Sequence, residues 1–206
     1  MDVRSPTLSN QTLNHRKSVM KETLKKIGGL ISAVTLIAFA LYLMAHDVKL
    51  NIATWVLWTL LDIILVMTGR EALLRQGKNE WPWLPIGWTT GAAIVTIILL
   101  TRGQWQWTWT ETLTVIVTAI AAGHWRATSN ARAGIVAATL AMTVAGIPSA
   151  MLAWNHPDPS SWWLWAGVSV SCFFTLAGTK EWSIEERFLP VASFMFNGLM
   201  TALVLL

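Results

Sequence analysis

Long apolar runs alternate with short polar segments along the chain, and each run approaches the length of a bilayer-crossing helix, which takes about 20 residues. Seven runs stand out, at 27–44, 52–67, 85–101, 108–122, 133–154, 162–177 and 189–206. The fourth is the shortest and the richest in threonine. The second, fourth and sixth lie near the lower length limit, which predicts helices that stand upright or are shielded by neighbours. The pattern predicts an all-α membrane protein of seven transmembrane helices, with boundaries good to a few residues.

Composition agrees. Hydrophobic residues fill 54% of the 206 positions and charged residues 13%, where a soluble domain carries roughly a quarter charged. The net charge of +4 is therefore a statement about orientation rather than nucleic-acid binding, because basic residues set the sidedness of membrane proteins. With the N-terminus in the cytoplasm, Arg4, Arg16, Lys17, Lys21, Lys25, Lys26, Arg70, Arg75, Lys78, Arg126, Arg132, Lys180 and Arg187 all fall inside. Only Lys49 and Arg102 fall outside. A missing or extra span would scramble this alternation, so the bias supports the count of seven and places the C-terminus outside. Trp105, Trp107, Trp109, Trp154, Trp162 and Trp163 then map to the outer interface, and Trp81, Trp83, Trp125 and Trp182 to the inner one. Indole favours this zone because it is apolar but keeps one N–H that wants water or a headgroup. Residues 1–24 are polar and basic without a cleavable signal pattern, and are expected to form a loosely ordered cytoplasmic tail. The expected location is a plasma membrane of the bacterial inner-membrane type. The one cysteine, Cys172, excludes an intramolecular disulfide.

The apolar runs are also duplicated. Residues 146–165 end one helix on Pro148, pass through a polar loop and open the next helix with Trp162, Trp163 and Trp165. A fainter copy lies about 107 residues earlier, where Leu43 and Met44 lead through a polar loop to Trp55 and Trp58. Trp83-Leu84-Pro85-Ile86 likewise resembles Phe188-Leu189-Pro190-Val191, and Thr96 aligns with Thr201 at the same offset, about 105. Each of these prolines suits the first turn of a helix, where a missing N–H costs nothing. The expected division is a basic tail (1–26), a three-helix repeat (27–101), a linker helix region (102–131) and a second three-helix repeat (132–206). One linker helix between two three-helix bundles leaves both bundles in the same orientation, a parallel repeat about an axis along the membrane normal.

This three-plus-one-plus-three layout resembles the SWEET and PQ-loop superfamily of small transporters. The family's signature is a Pro-Gln pair near the end of the first helix of each repeat, then a short polar loop and a helix opening on Ser or Thr. Ile147-Pro148-Ser149 followed by Ser160-Ser161-Trp162 matches that arrangement, with Ser149 in place of the glutamine. The first repeat has no proline at the corresponding place near Leu41. The resemblance implies bundles that rock about proline hinges, with Pro148 as the hinge here. It also implies a central pocket in which Trp58 and Trp165 form a stacking pair for a sugar-like ring and Asn197 supplies an amide.

Asp62 is the most informative single residue. It lies about ten residues into the second run, roughly 15 Å along a helix rising 1.5 Å per residue, near the bilayer midplane. No Lys or Arg lies inside any of the seven runs. An acid at that depth faces the bundle interior, is protonated, or both. It is either a site for H⁺ or Na⁺ coupling or solute binding, or a neutral group that fixes packing. Trp58 shares its helix face, four residues earlier, and Trp165 and Ser169 repeat that spacing in the sixth run. The candidate binding residues are therefore Trp58, Asp62, Trp165, Ser169 and Asn197. Gly28, Gly29, Gly91, Gly134 and Gly198 read as positions of close helix approach. Glu111 reads as an interfacial residue, and Glu181, Glu185 and Glu186 as solvated loop residues.

Other chemistries find no residues. His15, His46, His124 and His156 lack metal-ligand spacing, no Gly-rich phosphate loop occurs, and the seventh run has no lysine for a retinal Schiff base. No metal, cofactor or catalytic group is expected, and the chain does not read as an enzyme. The expected function is a small-solute carrier or facilitator working by alternating access around a midplane cavity. The alternative is a non-transporting receptor, assembly factor or scaffold of the same fold. The lipid bilayer is the expected partner, a homo-oligomer stays open, and nucleic acid is not expected.

Overall fold

The computed structural model describes residues 8–46, 50–103 and 105–206, the side chains of 8–14 and 121 aside. Arg4 and the loop residues Asp47, Val48 and Lys49, which entered the charge and repeat readings, lie outside the described residues. Within them the chain forms seven α-helices: α1 Leu8–Ala45, α2 Ile52–Arg75, α3 Trp83–Arg102, α4 Trp109–Thr128, α5 Ala131–Asn155, α6 Trp162–Ala177 and α7 Ile184–Leu205. A 3-10 turn, Pro159–Ser161, leads into α6. Five of the helices, α1, α2, α3, α5 and α7, are long and apolar enough to cross a membrane. The chain is an all-α integral membrane protein.

Local chemistry sets the helix ends. Asn51 accepts a hydrogen bond from the Ala53 amide at 3.0 Å, and Asn130 does the same for Ala133 at 3.2 Å. Ser183 accepts from the Glu186 amide at 3.3 Å. Each satisfies an orphan donor of a first turn. Gly77 (φ 70°) ends α2 in the left-handed region that only glycine adopts freely.

Three expectations shift. The segment read as a loosely ordered tail is helical from Leu8 onward, continuous with the first apolar run. The second helix is not short: it runs 24 residues, past Thr68, Gly69, Arg70 and Glu71. Those polar groups find partners beyond the apolar run, with Arg70 donating to the Glu80 carbonyl and Glu71 accepting from the Trp125 indole at 2.6 Å. Trp125 is buried against α2. The last helix begins at Ile184, so Pro190 is its seventh residue and not in its first turn. Having no N–H, Pro190 cannot bond the Glu186 carbonyl one turn back. Pro85 does sit in the first turn of α3.

Six helices close a ring. Going round it, α1 packs on α3, α3 on α2, α2 on α5, α5 on α7, α7 on α6, and α6 back on α1. The linker α4 stands outside the ring, against α5 and more lightly against α2. Leu61, Leu65, Leu84, Val95, Leu99 and Met200 fill the interior. The outward faces expose Leu41, Ile97, Leu100, Ile120, Leu152 and Met195, an apolar surface suited to hydrocarbon rather than water. The closest joint is α1 on α3. A Cβ on Gly87 would run into the Gly29 carbonyl and the Ser32 hydroxyl, so only glycine lets the two backbones come this near. Gly198, by contrast, faces open space, and the close approach expected there is absent.

Candidate functional site

All six ring helices, and not α4, contribute to a cavity inside the bundle of about 100 Å³, enough for several water molecules or one small solute. From α2 come Trp55, Trp58 and Asp62, and from α3 Trp88 and Ala92. From α6 come Leu164, Trp165 and Val168, and from α7 Ser193, Phe196 and Asn197. Leu36 of α1 and Thr139, Met142 and Thr143 of α5 complete the wall.

Four of the five binding residues expected from the sequence thus share one wall: Trp58, Asp62, Trp165 and Asn197. Ser169 does not. It is buried one turn along α6 from Trp165, off the cavity, and its hydroxyl has no partner among the described residues. Pro148 lies inside α5, which continues through it from Ala131 to Asn155.

The polar groups of the wall divide into two sets. Thr139 donates to the Ile135 carbonyl at 2.7 Å, Thr143 to the Thr139 carbonyl at 3.0 Å, and Asn197 to the Ser193 carbonyl at 2.7 Å. The two threonine hydroxyls and one N–H of the Asn197 amide are thus spent on their own helices. The other set is unpaired among the described residues: Asp62 Oδ1, Trp58 Nε1 and Trp88 Nε1. Asp62 is 2% exposed. A buried polar group without a partner costs stability and calls for one from outside the protein, such as water or a ligand. Trp55 meets Trp58 edge-on at 5.2 Å, and Trp165 meets Phe196 edge-on at 6.5 Å, so the aromatic wall is a packed assembly.

Sequence reasoning missed Trp55, Trp88, Ser193 and Thr143. The signal was nonetheless present. The offset near 105 that aligns Pro85 with Pro190 also pairs Trp88 with Ser193 and Ala92 with Asn197, and the offset near 107 pairs Leu36 with Thr143 and Trp58 with Trp165. Each pair lines the cavity.

The two ends of the bundle close differently. At the lysine-rich end, Glu186 accepts from Lys78 at 2.8 Å, from Lys25 at 3.3 Å and from the Lys180 amide at 2.9 Å. Lys180 pairs with Glu80 at 2.5 Å, and Lys78 also meets Glu181 at 3.0 Å. Glu186 is buried, and Glu185 pairs with Arg132 at 2.8 Å, so these acids are not merely solvated loop residues. Burial works against the Lys78 ammonium, yet Glu186 and Glu181 hold its pKa above the ordinary lysine value. A second hollow, lined by Lys25, Leu65, Pro85, Glu186 and Pro190 among others, lies beneath this network. At the opposite end the closure is aromatic. Phe39 of α1 meets Trp55 at 5.8 Å and Trp163 at 6.1 Å, and the Tyr42 hydroxyl bonds Ser160 at 3.2 Å.

Glu111, expected at the interface, is held by protein partners. It is 4% exposed and accepts from Asn51 at 2.9 Å, Thr54 at 2.8 Å, the Thr108 amide at 2.8 Å and Thr110 at 3.1 Å. The Glu111 carboxylate accepts from the Thr108 amide and the Thr108 side chain from the amide at Glu111, a capping box at the start of α4, and the bonds from Asn51 and Thr54 fasten it to the start of α2.

No family model, curated protein or solved structure matches this chain.

Proposed function

We propose that the chain is a small-solute membrane carrier in which two three-helix bundles, α1–α3 and α5–α7, move against each other around the central cavity. One observation carries the reading: a cavity drawn from all six ring helices holds a buried carboxylate oxygen of Asp62 and two indole N–H groups with no partner among the described residues. A scaffold would fill the same space with apolar side chains.

The neighbour pattern supports a duplicated origin. Exchanging α1, α2 and α3 for α5, α6 and α7 turns each joint of the ring into another joint of the ring: α1 on α3 becomes α5 on α7, α2 on α3 becomes α6 on α7, and α1 on α6 becomes α5 on α2. The linker α4 has no counterpart. This is the arrangement the SWEET-like resemblance implies, with α4 and α6 counted as spans. The distribution of Lys and Arg orients the N-terminus and the ion-pair network toward the cytoplasm. Access then alternates between breaking the ion pairs at one end and parting the aromatic contacts at the other, with Pro148 as a point of bending in α5. Asp62 is the group through which a cation, coupling ion or solute, takes part in the cycle.

Uptake by proteoliposomes tests the reading. A panel of sugars, nucleosides, amino acids and amines, with and without a pH gradient, should yield at least one saturable flux that Asp62→Asn abolishes while leaving the protein folded. If no solute moves, the chain returns to the non-transporting alternative. A C-terminal tag protected inside intact cells would overturn the orientation.

A further inference from the structure

Which solute fits follows from the charge and polarity of the cavity wall, and the answer deepens the carrier reading and rests on it. Charge comes first. Asp62 is the one titratable side chain on the wall, which holds no Lys, Arg or His. Its Oδ1 receives no hydrogen bond among the described residues. A buried acidic side chain calls for a partner, and among the described residues the wall carries no cationic side chain. A cationic solute supplies a charged partner, and a neutral polyol does not.

The rest of the wall decides what kind of cation fits. Hard ions such as Na⁺, like other oxygen-seeking cations, need a shell of oxygen ligands, whereas the oxygen-bearing side chains of this wall, Asp62, Thr139, Thr143, Ser193 and Asn197, are spread over three helices, and most of the wall is carbon, with Trp55, Trp58, Trp88, Trp165 and Phe196. No group of three or more His, Cys, Asp or Glu suited to a metal occurs among the described residues. Aromatic rings beside an acid are instead the surroundings that favour a carbon-bearing ammonium, whose spread charge is attracted to ring faces and whose methylenes tolerate apolar contact. Finally, the indole N–H groups of Trp58 and Trp88, unpaired among the described residues, call for an acceptor, which an ammonium group does not provide and an oxygen on the same molecule does.

We propose that the cavity binds a small organic monocation that also carries a hydrogen-bond-accepting oxygen. Its ammonium group lies beside the Asp62 carboxylate among the aromatic rings, and its oxygen takes an indole N–H from Trp58 or Trp88.

The test is equilibrium binding to the full chain in lipid nanodiscs, which requires no transport. Choline, ethanolamine and phenylalaninol serve as cationic probes of increasing bulk. Beside choline stands 3,3-dimethylbutan-1-ol, in which carbon replaces the charged nitrogen while shape and hydroxyl are kept. At least one cation should bind saturably. For choline, the carbon isostere should bind at least tenfold more weakly, and glucose should not compete. Asp62→Asn should weaken cation binding at least tenfold, and Trp58→Phe, which keeps a ring but removes the N–H, at least threefold. Absence of saturable binding by all three cations overturns the proposal, as does equal affinity for choline and its isostere. If Asp62→Asn fails to fold, the wild-type comparison still decides. Cation binding without any flux in proteoliposomes would keep this site and remove the carrier reading. Flux of a neutral solute with no cation binding would do the reverse.

Discussion

Glu186→Gln probes the charged end of the bundle with a change of one atom. In the protein one carboxylate oxygen faces Lys78, while the other faces Lys25 and the Lys180 amide. The glutamine carboxamide keeps a single acceptor, so in either orientation its NH₂ points at a donor. Removing one partner of a buried pair costs about 3–5 kcal/mol. Here the loss is smaller, because Lys25 keeps Glu80 at 3.6 Å and Lys78 keeps Glu181 at 3.0 Å. Both lysines also retain some water, with side chains 11% and 16% exposed. A loss of about 2–3 kcal/mol follows, equivalent to a fall in the unfolding midpoint of about 4–12 °C for a chain of this size. The protein carries its own reporter. Cys172, its single cysteine, is buried at 0% exposure, so a maleimide dye reacts as the bundle opens with temperature. Glu181→Gln is the control. Its side chain is 59% exposed, and exposed pairs contribute at most about 1 kcal/mol. A Glu186→Gln midpoint within about 2 °C of wild type, or no lower than that of Glu181→Gln, refutes the view that this network holds the two halves together.

Gly87→Ala should destabilise by about 1–3 kcal/mol, because its methyl meets the Gly29 backbone rather than a movable side chain. Gly123→Ala, in the same assay, should stabilise by up to about 1 kcal/mol, because that position is helical and faces open space. Glu111→Ala should release α4 selectively. Amide hydrogen exchange over Trp109–Thr128 should speed up at least tenfold while the ring helices keep their protection; uniform acceleration would count against α4 as an independently fastened element.

The sequence by itself determined the helices of this membrane protein. Hydropathy is a local property, and apolar length marks each run without reference to the others. It erred where that signal ends before the helix does. Hydropathy reports contact with hydrocarbon, whereas helix length also depends on polar partners such as Glu80 for Arg70 and Trp125 for Glu71. Asp62 was legible because acids inside apolar runs are rare, Trp58 and Trp165 because they recur at an offset of 107, and Asn197 only through the family resemblance. Only the tertiary structure decided which helices are neighbours, that α4 stands outside the ring, and that Trp88 and Thr143 share a wall with Asp62. Only there does Lys25 meet Glu186, separated by 161 positions in sequence. The physical reason is that a helix apolar all round carries no stripe to show which face turns inward. That choice is made by the backbone approach at Gly29 and Gly87 and by charge pairs formed between distant segments, neither of which has a period in the sequence.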